Sequence, residues 1–179
     1  MLNSLGFFSD FEVQLFNQNT ETKTVEKNEV LLSEGEISKS IFFIKTGALF
    51  QLQKIDDEEK IIDLNIQNDW VFNFDSLTNQ VPSNTIIKAF AKSEVVELKL
   101  ESLHKLISIS QNFLQLNKIF NSLSIKIHIY NNNLNPTEKY DYLIKNRPQI
   151  IKTFPLNMIA SYLKIRQETL SRVRANVIF

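Results

Sequence analysis

The sequence has no cysteine among its 179 residues, which excludes disulfides, thiolate catalysis, cysteine-ligated zinc and iron–sulfur clusters. Such a chain suits a reducing cytoplasm, its expected location. Glycine is almost as scarce, with three residues, and no glycine-rich phosphate loop occurs. No run of about 18 apolar residues occurs, so no membrane span is expected. The opening MLNSLGFFSDFE lacks a basic start and a long apolar stretch and does not read as a signal peptide. His104 and His128 stand far apart without ligand-like neighbours, and no nucleophile–base pair stands out. The expectation is a protein that is not an enzyme and carries neither a metal nor a cofactor.

Arginine is missing from the front of the chain. Residues 1–100 hold nine Lys against sixteen Asp and Glu, a net of −7, whereas residues 101–179 hold seven Lys and four Arg against four acids, a net of +7. The zero overall charge therefore conceals an acidic front and a basic tail, a division that suggests two jobs, the second directed at a polyanion.

Ser9 and Glu12 have the spacing of a capping box and predict a short helix to about Asn19. Between about residues 24 and 100 come short β-rich runs, NEVLL, KSIFFIKTG, ALFQLQKI, KIIDLNIQ, NTIIKAF and EVVELKL, separated by polar turns. The acidic Asp56–Glu59 segment reads as an exposed hairpin tip, and the spacing of the runs predicts a small barrel or sandwich. Trp70 and the phenylalanines are expected in the core.

After residue 100 the period changes. Phe113, Leu116, Phe120, Leu123, Ile127, Tyr130 and Leu134 follow one another at alternating steps of three and four, a heptad stripe along one helix. A second apolar set, Leu114, Ile119, Ile125 and Ile129, is placed to cover the sheet domain. The stripe reads as a dimer seam; the other reading is a helix packed on its own domain. Asn135, Pro136 and Glu138 then open a new helix as N-cap, first position and capping-box partner. Pro148 stops it, and Pro155 opens a last helical segment.

The C-terminal stretch PLNMIASYLKIRQETLSRVRANVIF reads as two helices joined by a tight turn. Ile159, Ala160 and Leu163 form the inner side of the first, Ile165 sits in the turn, and Leu170 and Val173 form the inner side of the second. The outer side presents Arg166, Gln167, Glu168, Ser171, Arg172 and, further round, Arg174. Arg can read guanine, Gln adenine and Glu the cytosine amine, while Thr169 and Ser171 suit phosphates.

IASYLKIRQETLSRVR resembles the helix-turn-helix of the Crp–Fnr regulators, whose recognition helix has an R/Q–E–T–x–S/G–R core, matched here by Gln167 to Arg172. Lys164 stands in the turn where the family usually has Gly, at some cost in stability. The chain ends at Phe179, so the wing that follows in many members is expected to be missing or to lie outside it. SEGEISKSIFFIKTGALFQLQ resembles the family's nucleotide-binding domain, with Gly35 and Gly47 framing a strand pair, and NDWVFNFDSL with VPSNTIIKAF resembles its phosphate-binding cassette. The Gly-Glu and Arg-Ser/Thr pairs that hold ribose and cyclic phosphate align with Phe72-Asn73 and Ser83-Asn84, which leaves a degenerate effector pocket with Lys88 as its nearest cation.

The resemblance implies an α+β chain: an N-terminal β-roll or jelly-roll of the cyclic-nucleotide-binding type over residues 1–110, a long dimerisation helix over 111–134, and a helix-turn-helix domain without an obvious wing over 135–179. It implies a homodimeric transcription regulator whose partners are double-stranded DNA and RNA polymerase. Lys164, Arg166, Gln167, Glu168, Thr169, Ser171, Arg172 and Arg174 would face DNA. Phe113, Leu116, Phe120, Leu123, Ile127 and Tyr130 would form the dimer interface. Cyclic AMP is not expected as effector. The alternative is a signalling or protein-binding module of the same β type that does not bind DNA.

Overall fold

The computed structural model describes residues 1–56, 58–122 and 134–177. The first regular element, α1 (Asp10–Gln18), starts as its sequence dictates: the Ser9 hydroxyl accepts from the Glu12 amide and the Glu12 carboxylate accepts from the Ser9 amide. Phe8, just before the cap, and Val13 in the first turn both pack on the core beneath, a hydrophobic staple beside the box.

Eight strands follow among the described residues: β1 (Glu21–Val25), β2 (Val30–Leu32), β3 (Ser40–Thr46), β4 (Ala48–Ile55), β5 (Glu58–Ile66), β6 (Trp70–Val71), β7 (Ile86–Ala89) and β8 (Ser93–Lys99). They form two antiparallel sheets with strand orders β1-β8-β3-β6 and β2-β7-β4-β5. Alternation along each strand divides the apolar side chains into layers. Phe42, Ile44, Leu49, Ile87 and Val95 meet between the sheets. Ile41, Phe43, Val96 and Leu98 turn to the other side of the first sheet, against the N-terminal helix and α3 (Leu100–Ile109). Ala48, Leu52, Ile61 and Leu64 turn to the outer side of the second sheet, against the C-terminal helices. The molecule is thus a jelly-roll-like pair of sheets covered on both faces by helices. Gly47, between β3 and β4, has φ +89°, and a Cβ there would stand 2.2 Å from the Ser93 Oγ, so both backbone and space call for glycine.

A short helix, α2 (Phe74–Asn79), lies between β6 and β7. After α3 the structure corrects one expectation. Residues Gln111–Ser122 form a 3-10 helix, and Phe113 and Leu116, 0% and 1% exposed, lie in the chain's own core. Side chains so fully covered have no surface left for a second chain. Phe120 is half-buried, its ring edge-on to Phe72 and Phe74. Leu114, expected to cover the sheet domain, is instead 53% exposed. Leu123, Ile127 and Tyr130 lie outside the described residues.

The C-terminal part contains α4 (Pro136–Asn146), α5 (Pro148–Thr153), α6 (Leu156–Tyr162) and α7 (Gln167–Val177). Asn135 caps α4 in a capping box with Glu138, with Pro136 at its first position. Among the described residues no helix is long and apolar enough to cross a membrane.

Candidate nucleic-acid interface and effector pocket

The two last helices are joined by a turn whose hydrogen bonds explain its sequence. Lys164 has φ 55°. Its amide donates to the Ser161 carbonyl, and the next amide, Ile165, donates to the Ala160 carbonyl, both at 3.0 Å. This is the Schellman arrangement, in which the residue after the cap is left-handed and usually glycine. A lysine there carries about 1–2 kcal/mol of left-handed strain. Behind the turn, the buried Lys139 ammonium donates to the Leu163 carbonyl at 3.2 Å, placing a cation at the carbonyl end of α6, where it is favourable.

Leu170 and Val173 of α7 are buried, in one core with Ile159, Ala160 and Leu163 of the α6 segment. The opposite side is open. Lys164, Arg166, Gln167, Glu168, Ser171 and Arg172 are exposed, with Thr169 and Arg174 half-buried at its edges. All eight residues expected to face DNA therefore lie at least partly exposed on α7 and its leading turn. Arg147, part of the basic tail by count, is not among them: it pairs with Asp69 in the turn between β5 and β6.

The pocket residues do not assemble as expected. Asn73 and Ser83 do meet, both buried. The Asn73 Oδ1 caps α2 by accepting from the Ser76 amide at 2.9 Å. Its Nδ2 donates to the Ser83 hydroxyl at 3.0 Å and the Thr85 hydroxyl at 2.8 Å. Gln51 of β4 donates to the same Thr85 oxygen at 2.6 Å. These side chains thus spend their polar capacity on one another. Phe72 is turned away from them, into the layer under α3, with its ring 5.3 Å from that of Phe120. Asn84 is exposed. Lys88 alternates with Ile87 and Ala89, which face the space between the sheets, and its register partner Phe50 packs on the outer layer, so Lys88 points out of the roll. Gln51 and Thr85 were missed in the sequence. Gln51 follows the inward Leu49 by two residues, the one signal that could have placed it inside.

A second polar group sits at β8. The buried Glu97 accepts from the Ser40 hydroxyl and pairs with Lys23, each at 2.5 Å. Burial works to raise the Glu97 carboxyl, but the Lys23 and Ser40 bonds outweigh it and hold the group below the usual carboxylate range.

Residues 22–110 match the cyclic nucleotide-binding domain family. That domain spans the two sheets, α2 and α3. No curated relative matches in sequence. Among solved structures, FixK2 from Bradyrhizobium japonicum superposes with a TM-score of 0.70 at 15% identity, covering 88% of this chain and 84% of that one. A cyclic nucleotide-binding domain containing protein from Listeria monocytogenes EGD-e gives 0.68 at 16%, covering 94% and 88%. The c-di-GMP responsive global regulator CLP of Xanthomonas campestris gives 0.63 at 14%, covering 94% and 91%. At these identities the likeness establishes a shared fold, and it extends beyond the cyclic nucleotide-binding domain into the C-terminal helices.

Proposed function

We propose that the chain is a sequence-specific, homodimeric DNA-binding transcription regulator of the Crp–Fnr type with a degenerate effector pocket. The observation that carries the reading is the accessible outer side of α7 and its leading turn, where Arg166, Gln167, Glu168, Ser171 and Arg172 are exposed while Leu170 and Val173 anchor the helix from behind. A helix of this kind enters the major groove with its N-terminal residues against base edges. Arg172 has the reach for a bidentate bond to guanine, Gln167 for adenine and Glu168 for the cytosine amine. Lys164, Thr169 and Arg174 at the edges suit phosphates. Two copies related by a two-fold axis would place their recognition helices about 34 Å apart. Of the stripe proposed for the dimer contact, Phe113 and Leu116 are taken up by the chain's own core and Phe120 is half-buried; Leu123, Ile127 and Tyr130 lie outside the described residues.

The reading includes a sensor that does not take cyclic AMP in the family's manner. A cyclic phosphate brings a full charge that needs a charge-assisted donor. The network of Asn73, Ser83, Thr85 and Gln51 offers neutral groups already bonded to one another.

Duplexes enriched from a random pool against the wild-type chain test the proposal. Arg172→Ala should lose about 1–3 kcal/mol at one base pair and relax the preference there. Unchanged affinity and preference in that variant would defeat the assignment of α7 as the reading helix.

A further inference from the structure

The outer side of the β4–β5 hairpin is not free surface. Leu52, Ile61 and Leu64 share one core with Tyr162, Leu163 and Leu170 of the terminal helices. Two polar contacts reinforce this joint, and each is built rather than incidental. The first arises from a β-bulge. Gln51 pairs with Asp63 but Leu52 pairs with Ile61, so Ile62 is an extra residue in β5. A bulge interrupts the ladder locally. Here the Ile61 amide donates to the Ser161 hydroxyl of α6 at 2.9 Å. The second lies at the other end of β5. Asp69, in the turn to β6, accepts from the Ile66 amide at 2.7 Å and pairs with Arg147, between α4 and α5, at 2.5 Å. The two side chains are 24% and 15% exposed, enough shielding to keep the pair out of the weak class of surface ion pairs.

We propose that β5 is the positioning platform of the reading helix, with Ser161 and the Arg147–Asp69 pair as positioning residues that set the orientation of α7 without touching DNA. This rests on the DNA-binding reading above. It makes β5 a wall shared by two functions: Asp63 and Asn65 share a face with Gln51 and Leu49 between the sheets, whereas Ile61 and Leu64 face the helices. It also assigns Arg147, counted in the basic tail, to the sheet instead of to the phosphates.

The decisive variant is Asp69→Asn. Removing a carboxylate from a DNA-binding protein strengthens binding if only long-range charge matters. If Asp69 positions the helix, the same change weakens specific binding. Anisotropy titrations use the full chain, a duplex enriched against it and an unrelated duplex, at several salt concentrations. Asp69→Asn and Arg147→Gln should each lose about threefold to thirtyfold on the enriched duplex. Binding of Asp69→Asn to the unrelated duplex should be no weaker than wild type, and the slope against salt should stay as in wild type for both variants. Arg147→Lys, which keeps a cation opposite Asp69, should retain most of the affinity. Melting curves of each variant fix the folded fraction, so loss of fold is separated from loss of orientation. Equal or tighter specific binding by Asp69→Asn overturns this proposal alone. So does a salt slope reduced by about one in Arg147→Gln, the mark of a lost phosphate contact. A wild-type chain that enriches no duplex overturns the DNA-binding reading and this proposal with it.

Discussion

Replacing Asn73 by alanine removes three hydrogen bonds from one buried point, and the structure allows their worth to be apportioned. The Oδ1 cap on the Ser76 amide contributes about 1 kcal/mol, as N-caps do. The two Nδ2 bonds, to Ser83 and Thr85, are neutral and worth about 1 kcal/mol each. Their acceptors are not orphaned by the change. Thr85 keeps the Gln51 amide, and Ser83 still donates to the Thr85 carbonyl and accepts from the Thr85 amide. The total is therefore about 3 kcal/mol, a fall of about 6–12 °C in melting temperature for a chain of this size. Asn73→Ser separates the terms. Serine is an equally good cap but has no amide, so about 2 kcal/mol should be lost. Thermal and urea denaturation measure both variants. Alanine within about 0.5 kcal/mol of wild type, or serine as damaging as alanine, would refute the reasoning. The same network predicts the ligand response. Lacking a charge-assisted donor costs a cyclic phosphate about 2–5 kcal/mol, roughly thirtyfold to several thousandfold in affinity. Calorimetry with submillimolar cyclic AMP should show no heat, and a micromolar dissociation constant would contradict the picture of a self-filled site.

Two further outcomes test local features. The Glu12 carboxyl is held at about 2, first by the Ser110 hydroxyl, then by the Ser9 amide and the Asn112 side chain. Because the folded value is depressed, the stabilisation is present above the unfolded value near 4.5 and is lost as pH falls from there toward 2. Solvent screening reduces it to about 1–2 kcal/mol, and Glu12→Gln should remove that part of the acid limb of a melting-temperature profile; an unchanged limb would count against it. Lys164→Gly should relieve about 1 kcal/mol of left-handed strain and raise the melting temperature by about 2–4 °C. It should weaken DNA binding evenly and lower the salt slope by about one; a lower melting temperature would show that the lysine's other interactions outweigh the strain.

The six strands β2, β3, β4, β5, β7 and β8 were legible as apolar runs, as in Ile41 to Ile44, whose side chains go by turns to two different layers, whereas the polar β1 and the two-residue β6 were not among those runs. The caps at Ser9 and Asn135 were legible because a capping box is complete within four residues. At Phe113 and Leu116 the heptad stripe misled for a physical reason. Steps of three and four report that one side of a helix is apolar, not whose core that side meets. Phe113 and Leu116 meet their own sheet, and the 3-10 winding of residues 111–122 shifts which side chains share a face relative to the 3.6-residue repeat assumed in reading the stripe.

The exposed side of α7 was legible and part of the polar interior was not, for the same reason of range. Gln167 to Arg172 and the turn at Lys164 are local, so spacing alone puts their side chains on one accessible side. Gln51, Asn73 and the Ser83–Thr85 pair come from three stretches; the resemblance placed Asn73 and Ser83 together, but only the folded sheets bring in Gln51 and Thr85. Charge shows the difference most clearly. The +7 of residues 101–179 treats each basic side chain as available to a polyanion. Arg147 is neutralised by a carboxylate from the front of the chain, and Lys139 is buried behind the turn. The cations left on α7 and its leading turn are Lys164, Arg166, Arg172 and Arg174. The salt dependence of DNA binding should follow those four charges per chain, with Arg147 and Lys139 acting on where they are held.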